Sequence, residues 1–397
     1  MPNSPPDSSD SRPLSDRALH SDNTAAPLRW RLNAALCGAT FVSVFLTWVE
    51  LEGPDAPARM VRACEFTAAL MAVLLAHEFG HFVAARIHGV DASLPYFLPL
   101  PLLSPFGTMG AVIRMRSVIP TRRALLDIGA AGPLCGLAVA IPLYGWGVAH
   151  SRVVALAGAG ADSGQMVQLG SSLLLSWLDR RFGPPVADGT DILLSPIAYA
   201  AWAGMFVTMI NLLPVGQLDG GHVAYAWLGK RQDRITPWVH RSLLAFFFVS
   251  LASFVARDLR AGLGLWHFGR HVSNALFWLV WFEVLAVLGS LSTKAKSRVS
   301  DGAQTLSPSS RGAATLGVAL VAGAIQNSES VGLWVAWLVG LSLLIAMEVR
   351  WGALRNASGL FDHPVAGGGP LDGARAVVAV LTLGLFVLLF MPTPMSP

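Results

Sequence analysis

The residues best suited to chemistry are the two histidines and the glutamate of the sequence HEFGH, namely His77, Glu78 and His81. Because a helix places residues four apart on one face, the two imidazoles would lie one turn apart on the same side. Two neutral imidazoles can bind zinc and leave positions for a third ligand and a water, toward which Glu78 could act as general base. The same cluster could instead be a metal-ion or proton relay in a transporter, or a polar contact between helices. Ionisable groups in an apolar span favour a functional role over a structural contact.

The sequence NLLPVGQLDGGH at residues 211–222 offers a third ligand. Asp219 is a carboxylate in a segment that otherwise carries almost no charge. Pro214 and Gly216 should break the helix before it, and irregular backbone at membrane depth is tolerated only where it is buried or lines a wet cavity. Asn211 could donate a hydrogen bond to a developing oxyanion, or it could simply end the preceding helix.

These two sequences resemble the site-2 proteases, a family of intramembrane zinc metalloproteases. They occur in the order of the family and on separate predicted spans, and FGTMGAVIRMRSVIP at 106–120 and AAGPLCG at 130–136 strengthen the resemblance. The resemblance covers residues 60–230 and is closest to the branch that lacks a PDZ domain.

The resemblance implies a site and a reaction. One zinc ion per chain would be bound by His77, His81 and Asp219, with Glu78 as the catalytic base and Asn211 positioning the substrate or stabilising the oxyanion. The chain would be a zinc metalloendopeptidase that cuts within or near the transmembrane segment of a single-span membrane protein. A membrane-tethered transcription regulator or an anti-sigma factor would be such a substrate.

The composition independently predicts a membrane protein. Of the 397 residues, 53% are hydrophobic and only 13% are charged, whereas soluble domains carry about 25% charged residues. The net charge of +4 is spread over short loops rather than one basic face, so a nucleic-acid partner is not expected. The lipid bilayer is the expected surrounding.

Long apolar runs predict an all-α polytopic membrane protein with eight or nine transmembrane helices. The runs lie near residues 31–50, 61–87, 124–149, 192–213, 237–256, 274–292, 312–327, 332–349 and 374–392. The stretch from Gly107 to Ile113 is too short to span as a helix, which predicts a re-entrant or β-hairpin element near residues 105–115. Such an element could bind an unwound substrate strand through its main chain, or it could be a simple connector.

Most basic residues of the loops fall on one side of the membrane if the spans alternate, and the exceptions are Arg257, Arg260 and Arg270. The residues on the shared side are Arg114, Arg116, Arg122, Arg123, Lys230, Arg231, Arg234, Lys294, Lys296, Arg298, Arg350 and Arg355. This side is expected to be cytoplasmic and to hold the N-terminus, in the inner membrane of a bacterium. Asp127, which begins the third span, is expected to pair with the neighbouring arginines.

We expect five regions along the chain. Residues 1–29, rich in Pro, Ser and Asp, form a disordered tail, and residues 30–236 form the metalloprotease membrane core. Residues 237–292 form accessory transmembrane helices, residues 293–311 a cytoplasmic linker, and residues 312–397 the C-terminal transmembrane helices.

Two functions from other classes stay open at this point. A metal-ion or proton transporter would move its ion across vesicles and would not need Glu78 as a base. An inactive scaffold would not depend on zinc. His222 could orient Asp219 or could be an ordinary residue at a helix end.

Overall fold

A computed structural model of the chain describes residues 30–51, 56–101, 104–155, 168–265, 268–300, 317, 321, 331–351, 365–367 and 369–396. The predicted tail at 1–29 lies outside these residues. Four helical stretches are long and apolar enough to cross a bilayer, namely Trp30–Val49, Pro57–Ile87, Arg122–Ala149 and Asp219–Arg260. Three shorter apolar helices are Asn274–Ala286, Gly332–Met347 and Gly373–Leu389. The mostly helical membrane fold agrees with the prediction, but the count of eight or nine spans is not confirmed.

The described residues form ten α-helices. In chain order they are α1 Trp30–Leu51, α2 Ala56–Ile87, α3 Arg122–Ala149, α4 Leu173–Phe182, α5 Pro196–Asn211, α6 Asp219–Leu228, α7 Gln232–Arg260, α8 Phe268–Ser300, α9 Val331–Trp351 and α10 Gly373–Leu389. Eight of the nine predicted apolar runs fall on these helices. The run at 312–327 lies outside the described residues except for Gly317 and Val321.

Helices α2, α3 and α5 pack against one another and form the centre of the molecule. Helix α5 is buried by its neighbours, with Trp202, Met205 and Met209 each at most 1% exposed. Its 16 residues give a length of about 24 Å, which is shorter than a hydrocarbon layer of about 30 Å. The loop that follows α5 is therefore expected to lie at membrane depth.

Large apolar side chains cover the outer faces of the helices. Val42 on α1, Val249 on α7 and Leu381 on α10 are 54%, 64% and 64% exposed. Contiguous apolar surface of this kind is rare on soluble monomers, and lipid tails would cover it in a membrane.

The predicted hairpin element is present. Strand β1, Tyr96–Pro99, pairs antiparallel with β2, Thr108–Val112, and the Ala92–Met115 bridge extends the pairing beyond them. Helix α1 holds the hairpin from behind, because Ser43 Oγ donates to the Gly107 carbonyl at 2.6 Å and Asn33 Nδ2 donates to the Pro95 carbonyl at 3.0 Å.

The remaining strands tie distant parts of the chain together. They are β3 Ile119–Thr121, β4 Arg152–Ala155, β5 Gln168–Leu169, β6 Thr190–Leu193, β7 Val365–Gly367 and β8 Met395–Ser396. β4 pairs with β6, β3 with β7 in parallel, and β5 with β8. The last two pairs place both ends of α10 against the front half of the chain.

The partner of Asp127 differs from the expected one. Its carboxylate accepts from the Arg375 guanidinium at 2.9 Å and lies 2.9 Å from His88 Nε2, rather than pairing with the arginines near 114–123. The sequence could not show this, because α10 returns to α3 across 248 residues of chain. The Arg375 backbone N–H and guanidinium also hold the pKa of Asp372, which caps α10, below its usual range.

The predicted division into five regions stays a prediction. Helix α8 extends through residues 293–300 of the expected linker, and residues 301–311 lie outside the described residues. Helix α10 contacts α3, α4, α5 and α6, so it packs against the membrane core that the sequence assigned to residues 30–236.

Candidate active site

The three predicted metal ligands lie together. His77 Nε2 is 3.2 Å from Asp219 Oδ2, His81 Nε2 is 3.2 Å from His77 Nε2, and His81 Nε2 is 3.3 Å from Asp219 Oδ2. The two histidines come from α2 and the aspartate from the first residue of α6. Within the described residues, this is the group of His, Cys, Asp and Glu side chains whose ligand atoms could hold a metal ion.

The arrangement of these three atoms fits zinc. Ligands about 2.0–2.1 Å from a tetrahedral zinc ion lie about 3.3 Å from one another. The three measured distances, 3.2, 3.2 and 3.3 Å, match the edges of one face of such a tetrahedron. Two imidazole nitrogens and one carboxylate oxygen are also a donor set that zinc accepts, and they leave a fourth position open.

The backbone of α3 fixes the orientation of His81. His81 Nδ1 donates to the Ile128 carbonyl at 2.7 Å, because a carbonyl can only accept. In the neutral ring the lone pair then lies on Nε2, the atom that faces His77 and Asp219, and this is the usual supporting contact of a metal-binding histidine.

Glycines on one face of α3 make room for the two imidazoles. A Cβ on Gly132 would overlap the His81 ring, and a Cβ on Gly136 would lie 3.2 Å from His77 Nδ1. Four residues apart on a helix, these glycines form a flat strip against which both histidines lie.

The loop between α5 and α6 is held tightly, and it carries the third ligand. Pro214 accepts a hydrogen bond from Gln232 Nε2 at 2.6 Å, and the Gln232 side chain is buried. A Cβ on Gly220 would collide with the Leu212 carbonyl, so only glycine lets α6 start this close to the end of α5. The irregular backbone predicted by Pro214 and Gly216 is thus buried against α6 and α7.

Glu78 and Asn211 line the same cavity as the three candidate metal ligands. Glu78 is 7% exposed and lines a cavity of 1210 Å³ together with His77, His81, Asn211 and Asp219. Asn211, the last residue of α5, places its Nδ2 3.4 Å from His77 Nε2. The side chain of Asn211 is therefore directed at the cluster rather than at the backbone of its own helix.

The β2 strand runs along the edge of this cavity. A small cavity of 70 Å³ joins Gly110 and Ala111 to His77, Glu78 and Asn211. Consecutive residues from Ala111 to Ile119 line the larger cavity. Only alternate residues would do so if one face of an extended chain covered the cavity, so the cavity follows the edge of β2 and of the extended segment after it.

The edge that faces the cavity has unpaired backbone groups. Arg114 and Arg116 direct their backbone groups toward residues 91–93, since Ser93 N donates to the Arg114 carbonyl and Arg116 N to the Asp91 carbonyl. The N–H and C=O groups of a strand alternate in direction, so those of Ile113 and Met115 point to the opposite side. Among the described residues they have no backbone partner.

The structure brings together all five residues that the sequence singled out for the site, and His222 lines the same cavity. Sequence reasoning missed Gly132, Ile128 and Gln232 as supports of the ligands. The glycine spacing of AAGPLCG was a usable signal for close packing of helices. Nothing in the sequence pointed to Gln232 or to the Ile128 carbonyl, because both act through contacts that only the fold creates.

A buried His-His-Asp cluster beside a carboxylate, within helices that can span a bilayer, places the chain among membrane proteins with a zinc-type hydrolytic centre. Residues 65–255 match the family described as Peptidase family M50. The chain carries a domain of this family, to which the site-2 proteases belong, as the sequence resemblance implied. The family implies zinc as the metal.

Similar proteins with curated descriptions carry related names. The chain is 35% identical over 162 residues to the probable zinc metalloprotease EGY1, chloroplastic, of Arabidopsis thaliana, covering 41% of this chain and 29% of that protein. It is 32% identical over 202 residues to the probable zinc metalloprotease EGY2, chloroplastic, of Oryza sativa subsp. indica, covering 48% and 35%. The chain thus spans about a third of the length of these relatives. No solved structure matches.

These comparisons bear on two expectations. They give no support to the transporter alternative, since the relatives are named as zinc metalloproteases. They also give no support to the inner membrane of a bacterium or to a cytoplasmic N-terminus, because these relatives are chloroplastic plant proteins.

Proposed function

We propose that the chain is an intramembrane zinc metalloendopeptidase that hydrolyses a peptide bond within or near the transmembrane segment of a membrane-anchored protein. The observation that carries the proposal is the spacing of the three ligand atoms, 3.2–3.3 Å apart, beside Glu78 in one cavity. The family match and the names of the relatives support the same reaction.

His77, His81 and Asp219 would hold one zinc ion per chain. When bound, zinc supplies a Lewis acid that makes water nucleophilic near neutral pH and polarises a carbonyl. The contact from the Ile128 carbonyl keeps His81 Nε2 available for this role. The glycines of α3 leave space for the two imidazoles, and the Gln232 contact holds the loop before Asp219. The fold of the chain thus keeps the three ligand atoms at these distances.

Glu78 is positioned to move the proton. It would accept the proton of the attacking water and return it to the leaving amine, as a general base and then a general acid. Asn211 Nδ2 would donate to the oxygen of the scissile carbonyl as negative charge develops on it. Both side chains line the cavity into which the ligand atoms face.

The free edge of β2 and the residues after it would bind the substrate. Peptide bonds in a helix are shielded by their own hydrogen bonds, so a transmembrane helix must unwind before it is cut. The groups of Ile113 and Met115 that face the cavity could pair with an unwound strand, as in other complexes that extend a sheet.

The proposal also predicts the class of substrate and the orientation of the chain in the membrane. A single-span protein, such as a membrane-tethered transcription regulator or an anti-sigma factor, has the required form. Two basic loops lie at one end of the molecule, because Arg122 donates to the carbonyls of Ala226 and Trp227. The positive-inside rule would place this end, nearest the site, in the cytoplasm or its equivalent.

The test pairs zinc content with cleavage. The purified wild-type protein and Glu78→Gln would be compared on a panel of single-span substrates in bilayer discs, with Glu65→Gln as the matched control. Glu65 lies exposed on the same helix, outside the cavity. We expect about one zinc in all three proteins, cleavage by wild type and the control, and a loss of more than roughly 1000-fold in Glu78→Gln.

Two outcomes would contradict the proposal. If wild type cuts no member of a varied panel while vesicles holding it move metal ions, the protease assignment fails. If Glu78→Gln cuts as fast as wild type, Glu78 is not the base. Removal of zinc by a chelator and its return should abolish and restore cleavage.

A further inference from the structure

Two arginines extend the substrate cavity beyond the metal site. Arg114 and Arg116 both line the cavity of 1210 Å³, and both are exposed. Apart from the cluster of histidines and carboxylates at its deep end, they are the charged residues among those that line it. The outer part of the cavity is therefore positively charged.

Nothing in the described part of the chain neutralises Arg114. Its guanidinium forms no ion pair or side-chain hydrogen bond with the residues that the structure describes. Its backbone alone is bonded, to Ser93. Arg116 lies 4.0 Å from Asp91, which also pairs with Arg86 at 3.7 Å. Glu78 and Asp219 belong to the metal site. Arg114 is thus available to a negative group from outside the chain, and Arg116 shares its one carboxylate partner, Asp91, with Arg86.

The two arginines lie on the open face of the extended segment that follows β2. Val112, Arg114 and Arg116 are exposed, whereas Ile113 and Met115 between them pack against Ala85, Val90 and Ile128. Residues two apart in an extended segment share a face. The side chains of Val112, Arg114 and Arg116 therefore form one row, which is apolar at Val112 and positively charged at the two arginines. A strand that is apolar and then acidic would complement this row.

The spacing along the strand defines where the acid should lie. Ala111 lines the small cavity with Glu78 and Asn211. A strand rises about 3.3 Å per residue, which places Arg114 about 10 Å and Arg116 about 16 Å from that point. A substrate strand paired with this edge would have the same rise per residue. An acidic side chain three to five residues from the scissile bond would meet the arginines.

We propose that Arg114 and Arg116 form a subsite for an acidic side chain of the substrate, three to five residues from the cut on the side of the basic loops. The inference rests on the proposed protease function. It also implies a selection against most membrane proteins, because the positive-inside rule gives their spans Lys and Arg on that flank. Those cations would be repelled by the arginines, so the subsite discriminates by repulsion as well as attraction.

The test uses one model substrate with Glu, Gln or Lys at each position from one to seven residues beyond the cut. Cleavage by wild type would be compared with Arg114→Gln, Arg114→Glu and Arg116→Gln. Arg234→Gln is the control, since Arg234 is exposed and does not line the cavity. Binding of the same substrates to Glu78→Gln, with and without Arg114→Gln, would be measured by crosslinking in bilayer discs.

We expect wild type to prefer Glu over Lys roughly 10-fold in kcat/KM at positions three to five, with the preference shrinking at high salt. Arg114→Gln and Arg116→Gln should each reduce the preference, Arg114→Glu should reverse it at the nearer position, and the control should keep it. A preference that is absent, or that survives in both Arg→Gln variants, overturns the subsite. Loss of binding to anionic vesicles without a change in substrate preference would assign the arginines to lipid and overturn it as well.

The two proposals fail separately. If Glu78→Gln binds substrates with the expected flank preference and wild type cuts none of them, the subsite stands and the protease function falls. If wild type cuts all substrates at one rate, the protease function stands and the subsite falls.

Discussion

The two ends of the active-site cavity are built in different ways. At the deep end, His77, His81 and Asp219 are supplied by helices and lie within 3.2–3.3 Å of one another, beside Gly132, which admits no larger side chain. At the outer end the wall is the edge of β2 and the extended residues after it, where Val112 and Val118 are 54% and 61% exposed. One end is closely packed and the other is open.

This difference matches two different chemical demands. Metal chemistry tolerates displacements of only a fraction of an ångström, and close helix packing supplies that accuracy. Substrate binding must accept more than one sequence, and main-chain hydrogen bonds along an edge do not depend on the side chains of the partner. Mutations at the deep end should therefore affect catalysis as a whole, while mutations at the outer end should alter which substrates are cut and how tightly they bind.

The largest effect is expected at Gly132. The Cβ of Gly132→Ala would overlap the His81 ring, and moving one ligand should weaken zinc binding by at least about 100-fold. Cleavage should fall to background. Zinc titration and substrate cleavage would measure both. Gly38→Ala is the matched control, because a Cβ there meets nothing within 4 Å and should leave both quantities unchanged. Normal zinc binding by Gly132→Ala would show that the deep end is less tightly packed than argued.

Asn211 should matter for rate more than for metal. Its Nδ2 lies 3.4 Å from His77 Nε2, and loss of an oxyanion donor costs on the order of 100-fold in kcat. We expect Asn211→Ala to show this loss with zinc content and KM little changed. If the residue merely ends α5, the variant would instead lose thermal stability and keep its kcat. Steady-state kinetics and thermal unfolding of the same preparation distinguish the two roles.

The sequence predicted the deep end better than the outer end. HEFGH requires only a helix to align its histidines, and Asp219 follows a stretch whose Pro and Gly residues force a break, so local rules were sufficient. The hairpin was also predictable, since a short apolar stretch with glycines cannot span a bilayer. The direction of its free edge was not, because it depends on the pairing with residues 91–93, which is a tertiary contact.

Longer-range contacts explain the other differences. Arg375 reaches Asp127 from the far end of the chain, and no local pattern of charges could indicate that pair in preference to the nearer arginines. The predicted span at 192–213 became the short α5, Pro196–Asn211, because neighbouring helices bury it and it need not reach both surfaces. Hydrophobicity alone does not separate a buried helix from a spanning one.

A proline at Ile113 would test the free edge directly. Ile113→Pro removes an N–H that points at the cavity and no hydrogen bond within the hairpin, which is where edge strands tolerate proline. We expect KM to rise roughly 10-fold with kcat less affected. Ile113→Ala is the control, because it loses the same side-chain packing but keeps the N–H. Equal KM values for the two variants would mean that the substrate does not pair with this edge.

The smallest effect is expected away from the cavity, at Asp179 on α4. Its carboxylate accepts from the Tyr144 hydroxyl at 2.8 Å, and burial raises the pKa of Asp179 above its usual range. A raised pKa means that the contribution of this group to stability is present below the unfolded pKa of about 3.9 and is lost as pH rises through the folded value. Asp179→Asn keeps an acceptor for Tyr144 without the buried charge.

We therefore expect Asp179→Asn to raise the free energy of unfolding near neutral pH by less than about 1 kcal/mol, with the gain vanishing below a pH of about 4. Thermal unfolding in detergent at the two pH values would measure it. Cleavage and zinc content should stay at wild-type values, because α4 contributes no residue to the cavity. A loss of activity in this variant would mean that the packing of α3 transmits changes from α4 to the histidines. The close packing that positions the metal ligands would then include the whole of α3 and not only its glycine face.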